Sequence, residues 1–216
     1  MGKDKLKRFA EIETFSNVVQ LEAGIPYKSQ WAAEFFKNNN PVVLELACGK
    51  GEYTVNLAQL FPEKNFIGID YKGNRIWRGA KTAIEEGINN VGFLRIQIEK
   101  LNEFFAPNEI DEIWITFPDP QPQLSREKKR LTSPRFLELY KQILRPGAFI
   151  NLKTDNDDLH AYTAEKIAER GLKLHVRTED LYHSPYADEV LNIKTYYEKK
   201  YLKDNKSINY LKFSLE

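Results

Sequence analysis

One cysteine, Cys48, and three histidines are all that the chain offers for disulfide or soft-metal chemistry. A lone cysteine excludes an internal disulfide and fits a reducing compartment. His160, His175 and His183 lack metal-ligand spacing, and Cys48 has no histidine at motif distance. Neither a metal centre nor a thiol nucleophile is expected. No apolar run is long enough to span a bilayer, and no secretory leader is read, so a cytoplasmic protein with no membrane attachment is expected. Charge of one sign is not in excess either: 32 Lys and Arg face 31 Asp and Glu, a net charge of +1. A nucleic-acid partner would have to be met by local asymmetry, since the global balance does not ask for one.

What is present suits a globular α/β chain. Its 216 residues, 42% of them hydrophobic, are enough for one substantial core. The pattern predicts a short helix over Gln30–Lys37, then alternating strands and helices. Strands are expected at Val42–Ala47, Asn65–Asp70, Val91–Gln97, Asp111–Phe117, Ala148–Lys153, Leu172–Arg177 and Asn209–Leu215. Helices are expected at Glu52–Leu60, Gly73–Glu86, Ser133–Leu144 and Asp158–Arg170. That is a doubly wound, seven-stranded, mostly parallel sheet with an antiparallel last strand. Met1–Arg8, rich in lysine, reads as a flexible basic arm, Phe9–Gln20 has no clear period, and Glu179–Ser207 reads as a long connection. The expected organisation is an arm and short helical segment over 1–40 and a catalytic domain over 41–216.

The turn after the first of these strands organises the rest. Val42–Leu46 is apolar except for Glu45, and it ends in Ala47–Cys48–Gly49–Lys50–Gly51. Glycines between a strand and a helix let a nucleotide approach the backbone closely. A dinucleotide fingerprint fits this run poorly, and an acid in the strand disfavours a pyrophosphate. It suits a cationic ligand such as a sulfonium. Asp70, about 20 residues on, stands where such folds place the carboxylate for ribose hydroxyls. Gln97 and Ile98, at the end of the third strand, are candidates to face a base. After the fourth strand comes Pro118–Asp119–Pro120–Gln121–Pro122, a rigid loop with Asp119 at its tip. Arg126, Lys128, Lys129, Arg130 and Arg135 follow, with only Glu127 opposing them. Clustered cations beside a pocket suit a polyanionic substrate.

These runs resemble the tRNA (guanine-N7-)-methyltransferase family. E-L-A-C-G-K-G is similar to the first motif of Rossmann-like methyltransferases. I-T-F-P-D-P-Q-P-Q-L-S-R-E-K-K-R-L-T is similar to the family's F-P-D-P-W-P-K, basic stretch and R-L-T. K-T-D-N at Lys153–Asn156 and T-Y-Y-E at Thr195–Glu198 follow in order. The resemblance implies a Rossmann-like fold dependent on S-adenosyl-L-methionine, and methylation of guanine N7 in the tRNA variable loop by a monomer or homodimer. It implies cofactor contacts at Glu45, Gly49, Gly51, Asp70, Gln97 and Asp119, with Asp119 also catalytic. It implies substrate contacts at Gln123, Asp155, Thr195, Tyr196, Tyr197 and Glu198. RNA contacts fall on Ser125, Arg126, Glu127, Lys128, Lys129 and Arg130. Gln121 replaces the family's usual tryptophan, Gln123 its lysine, and Gln97 a frequent acid. A non-catalytic RNA-binding protein, or a methyltransferase acting on another substrate, stays open at this point.

Overall fold

The computed structural model describes residues 3–20, 27–188, 190–204 and 206–215. The chain forms two compact units, Met1–Ala106 and Pro107–Glu216. The first holds strands β1 (Val18–Gln20), β2 (Val42–Leu46), β3 (Asn65–Ile69) and β4 (Val91–Arg95), in the spatial order β1-β4-β3-β2. Every neighbouring pair here is parallel. Parallel neighbours need crossover connections, and helices α2 (Glu52–Leu60) and α3 (Gly73–Glu85) supply them. All residues of β2 and β3 are buried, as their near-continuous apolar runs require. The register pairs Leu46 with Ile69, so Ala47 and Asp70 leave the sheet level with each other, on one edge.

The second unit holds β5 (Ile110–Thr116), β6 (Leu144–Thr154), β7 (Lys173–Thr178) and β8 (Asn209–Ser214), in the order β5-β6-β8-β7. β5 and β6 are parallel, while β8 is antiparallel to both neighbours. Thr116 pairs with Lys153, which brings the Pro118–Pro122 loop and Asp155 out on the same edge of this unit. Helices α5 (Pro134–Lys141) and α6 (Asp157–Glu169) follow β5 and β6. Ile113, Ile115, Ile150, Leu152, Leu211 and Phe213 fill the unit's core.

All seven expected strands form, and the α/β class holds. Several local expectations change. An eighth strand, β1, lies in the stretch that showed no period, and it pairs with β4. The expected basic arm is instead α1 (Lys3–Ile12), packed on α3. Glu11 accepts hydrogen bonds from the Trp77 indole at 2.8 Å and Lys81 at 2.7 Å, and Ile12 is buried. The short helix after residue 30 is a single wide turn, Trp31–Phe35, pinned by the Trp31 indole to the Phe104 carbonyl at 2.9 Å. Strand β6 begins at Leu144, before Pro146, not at Ala148. The long connection contains α7 (Tyr196–Lys203). Two further short pieces, the turn Ile98–Lys100 and α4 (Leu101–Phe104), follow β4. Both faces of β8 are covered: Tyr210 and Ser214 are buried as well as Leu211 and Phe213. Among the described residues, no helix is long and apolar enough to cross a membrane.

Candidate active site

The first unit carries the glycine turn. Ala47, Gly49 and Gly51 all adopt the left-handed region, at φ of 57°, 57° and 70°. Asp70 ties this turn to the end of β3. One of its oxygens accepts the Gly49 N–H at 3.1 Å, and the other accepts the Lys72 N–H at 2.7 Å. Each oxygen thus holds one backbone donor and keeps lone-pair capacity for hydroxyls. The space beside Gly49 is open: a Cβ there would meet only the Ala47 carbonyl, at 4.0 Å. Gly51 is different. A Cβ would stand 2.7 Å from Cζ of Phe93 and 3.3 Å from Cα of Gly79. It is the glycine that lets α2 pack closely against β4 and α3, a role the sequence pattern did not assign to it.

Gly51→Ala therefore meets two obstacles, a left-handed backbone and a filled site. It is expected to lower stability by roughly 2–4 kcal/mol. Urea unfolding measures this, and a loss below about 0.5 kcal/mol would show that α2 can shift freely.

Glu45 is buried in β2, and its carboxylate accepts both the N–H (2.8 Å) and the hydroxyl of Thr54. Thr54 lies in the first turn of α2, so the charge sits at that helix's positive end and fixes the strand-to-helix junction. Gln97 is exposed just past β4, where its carbonyl starts the turn before α4 by accepting the Lys100 N–H at 3.0 Å. Cys48 is buried, and burial pushes its thiol pKa well up, with the Glu45 and Asp70 charges adding to the effect. A thiol held neutral in this way is inert.

The second unit carries the proline loop. Phe117 just before it and Gln121 within it adopt left-handed conformations, at φ of 49° and 46°. Neither is glycine, and such backbone costs about 1–2 kcal/mol at a bulky residue. Between them Asp119 is exposed, with Oδ1 accepting the Gln121 N–H at 3.1 Å. The Phe117 N–H reaches the Lys153 carbonyl at 2.8 Å, and its ring lies 6.0 Å from that of Tyr201 in α7. Lys206 lies over Tyr201 and reaches Asp155 at 3.4 Å. Asp155 is half-buried, so its carboxylate keeps access to solvent. Thus the loop, the end of α7 and Asp155 form one connected group.

The basic stretch splits into two kinds of residue. Glu127 accepts the Tyr162 hydroxyl at 2.9 Å, and Arg130 lies 4.3 Å from the centre of the same ring. Arg130 also donates to the Gln121 carbonyl at 3.2 Å, so it braces the loop instead of facing outward. Burial and the Glu127 carboxylate push the Tyr162 phenol pKa up, which keeps it a donor. Leu131 and Thr132 are buried, Thr132 at 2.7 Å from the Thr163 hydroxyl. Gln123, Leu124, Ser125, Arg126, Lys128 and Lys129 are exposed. Among the described residues, Arg126, Lys128 and Lys129 have no carboxylate partner, which leaves three cations for phosphate.

T-Y-Y-E has a structural reading. Thr195 and Glu198 form a reciprocal capping box at the start of α7. Glu198 was expected to touch the target nucleotide. It is instead fully buried, paired with Lys153 at 2.8 Å, and it accepts the Tyr182 hydroxyl. Lys153 also donates to the carbonyls of Leu191 and Ile193, at 2.7 and 3.0 Å. Burial lowers the Lys153 pKa from its ordinary value, and the Glu198 charge pushes back. Tyr196 is exposed, and the side chain of Tyr197 lies outside the described residues. Lys153, Tyr162, Tyr182 and Lys206 were not singled out from sequence. Of these, only Lys153 fell inside a quoted run, K-T-D-N, where the resemblance gave it no role of its own.

Residues 39–211 match a family described as "Putative methyltransferase". A tRNA (guanine-N(7)-)-methyltransferase of Christiangramia forsetii is 48% identical, over 100% of this chain and 99% of its own length. One of the same name from Bacteroides fragilis is 48% identical, over 100% of this chain and 87% of its own. Among solved structures, the 16S rRNA methyltransferase KamB is similar with a TM-score of 0.62 at 18% identity, covering 86% of this chain and 90% of that one. A SAM-dependent methyltransferase from Aquifex aeolicus is similar with a TM-score of 0.56 at 14% identity, covering all of both chains. The structural likenesses show the fold.

Proposed function

The chain belongs to the tRNA (guanine-N(7)-)-methyltransferase family, and we propose that it methylates N7 of a guanine in the tRNA variable loop. The observation that carries this reading is the strained loop that holds Asp119 exposed, followed directly by the unpaired cations Arg126, Lys128 and Lys129. The family implies S-adenosyl-L-methionine, and the glycine turn fits it: the space beside Gly49 is open, and Asp70 retains acceptor capacity for a ribose diol. When bound, that cofactor supplies a methyl group already activated by a sulfonium. Asp70 takes the ribose hydroxyls, Gly49 admits the ligand to the backbone, and Gln97 stands toward the adenine. Glu45 keeps the turn in shape and contributes negative charge below it. Gly51 supports the turn through packing.

Guanine N7 carries an in-plane lone pair and no proton. A general base is therefore not required, and alignment is the main task; it can contribute about 7–11 kcal/mol in well-oriented systems. Asp119 orients the guanine, contacts the cofactor, and offsets the positive charge that grows on the purine ring. Asp155, Gln123, Tyr196 and Tyr197 hold the nucleotide, and Thr195 and Glu198 position them through the α7 cap. Arg126, Lys128 and Lys129, with Ser125, take phosphates, while Glu127 and Arg130 shape that stretch from behind. Residues 41–216 serve as the catalytic domain of a cytoplasmic monomer or homodimer, with 1–40 as its N-terminal segment.

Labelled S-adenosyl-L-methionine and unmodified tRNA test this directly. Nuclease digestion should release labelled N7-methylguanosine. A different labelled nucleoside would overturn the reaction while keeping the fold.

A further inference from the structure

A second group of cations lies in the first unit, and none of the roles above uses it. α1 runs along α3 in the same direction. Phe9 stands beside Gly73 at the start of α3, where a Cβ would come 3.1 Å from its ring. Arg8 lies 4.7 Å from the centre of the Trp77 ring, and Glu11 bonds Trp77 and Lys81 further along. The amino end of α1 therefore lies next to the amino end of α3. That end follows Asp70 directly, on the strand edge that carries the glycine turn. Lys5, Lys7, Lys72 and Arg75 are all exposed there. Among the described residues, none of these four has a carboxylate within ion-pair distance. Two acids of these helices are engaged further along, Glu11 by Lys81 and Glu85 by Arg78 at 3.7 Å, while the side chain of Asp4 lies outside the described residues. Tyr71 is 60% exposed between Asp70 and Lys72, a ring interleaved with the cations.

We infer that this α1–α3 face binds the phosphate backbone of the tRNA, as a contact surface separate from the 125–130 stretch. The inference rests on tRNA being the substrate. A folded RNA needs sequence-independent contacts beyond the target nucleotide to fix its register, and phosphates are met by cations not held in close ion pairs; Lys7 feels the Glu11 charge, but Glu11 is bonded to Lys81. An exposed aromatic among them gives an unpaired base a surface to stack on, which an acidic peptide would not need. The chain as a whole carries only +1, so the clustering is local.

The triple variant K5Q/K7Q/R75Q tests it by filter binding of tRNA between about 50 and 200 mM salt. Three lost contacts should weaken binding roughly tenfold and flatten the log–log salt slope by about 2. Affinity for S-adenosyl-L-methionine, and turnover at saturating tRNA, should stay at wild-type values. The charge-preserving variant K5R/K7R/R75K should bind as wild type does, which separates charge from folding. Unchanged affinity and slope in the triple variant overturn the inference, as does stronger competition by polyglutamate than by tRNA. Binding is read without turnover. If wild type forms no N7-methylguanosine while the triple variant loses tRNA affinity, the proposed reaction fails and the RNA surface stands.

Discussion

Replacing Asp119 with alanine is expected to lower turnover on tRNA by about two to three orders of magnitude while S-adenosyl-L-methionine affinity changes by about threefold or less. The asymmetry follows from position. Asp119 lies at the tip of a loop whose shape is set elsewhere: by Pro118, Pro120 and Pro122, by the Phe117 bond to Lys153, and by Arg130 on the Gln121 carbonyl. The cofactor turn in the first unit is held by Asp70 and Glu45, which this change does not touch. Asp119→Asn is the more informative variant. It keeps an oxygen for the Gln121 N–H, so the loop stays formed, but it removes the charge. If the carboxylate acts on the developing purine charge, asparagine loses nearly as much turnover as alanine. If Asp119 acts only by shaping the loop, asparagine retains most of it. Single-turnover methyl transfer and calorimetric cofactor binding together decide the matter. Equal loss of turnover and cofactor affinity would sink the assigned role.

The buried strands were legible because burial on both faces leaves an apolar run that few other structures share; β7, mostly exposed, lacks that cause. Val42–Leu46 and Asp111–Phe117 could be read directly, and so could the turns that end them. What escaped was structure whose signal had a second explanation. In α1, Leu6, Phe9 and Ile12 carry a helical spacing, but Lys3, Lys5, Lys7 and Arg8 around Leu6 read as a solvated arm. In α7, the Thr195–Glu198 capping box is an N-terminus signature hidden inside a family motif. The sites divide in the same way. Glu45, Asp70, Asp119 and Asp155 were picked out by position, as carboxylates in or just past a strand of such a sheet, and each also bonds its surroundings: Thr54, the Gly49 and Lys72 N–H groups, the Gln121 N–H and Lys206 respectively. Glu198, Glu127 and Arg130 have internal partners: Lys153, Tyr162 and the Gln121 carbonyl. Those pairings span about 9 to 45 residues of chain, and no local pattern announces them.

The buried pair provides the other large effect. Lys153→Met would leave the Glu198 carboxylate in the interior with, among the described residues, only the Tyr182 hydroxyl and the Thr195 N–H to solvate it. Removing one partner of a buried pair typically costs about 3–5 kcal/mol, and a loss of that size is expected here. Glu198→Gln should cost less, since its amide still serves Tyr182, whose phenol pKa is held up by burial and this carboxylate. The double variant K153M/E198L removes both charges and should recover much of the stability, since well-packed apolar residues can replace a buried pair. It should not recover function. Lys153 also gathers the Leu191 and Ile193 carbonyls, and without it the segment leading to Thr195 loses its anchor on β6. Thermal unfolding should therefore rank the double variant above Lys153→Met, while KM for tRNA rises in both and cofactor affinity holds. A Lys153→Met protein within about 1 kcal/mol of wild type would show that the pair is dispensable. A double variant with normal KM would show that the anchor does not serve the nucleotide site.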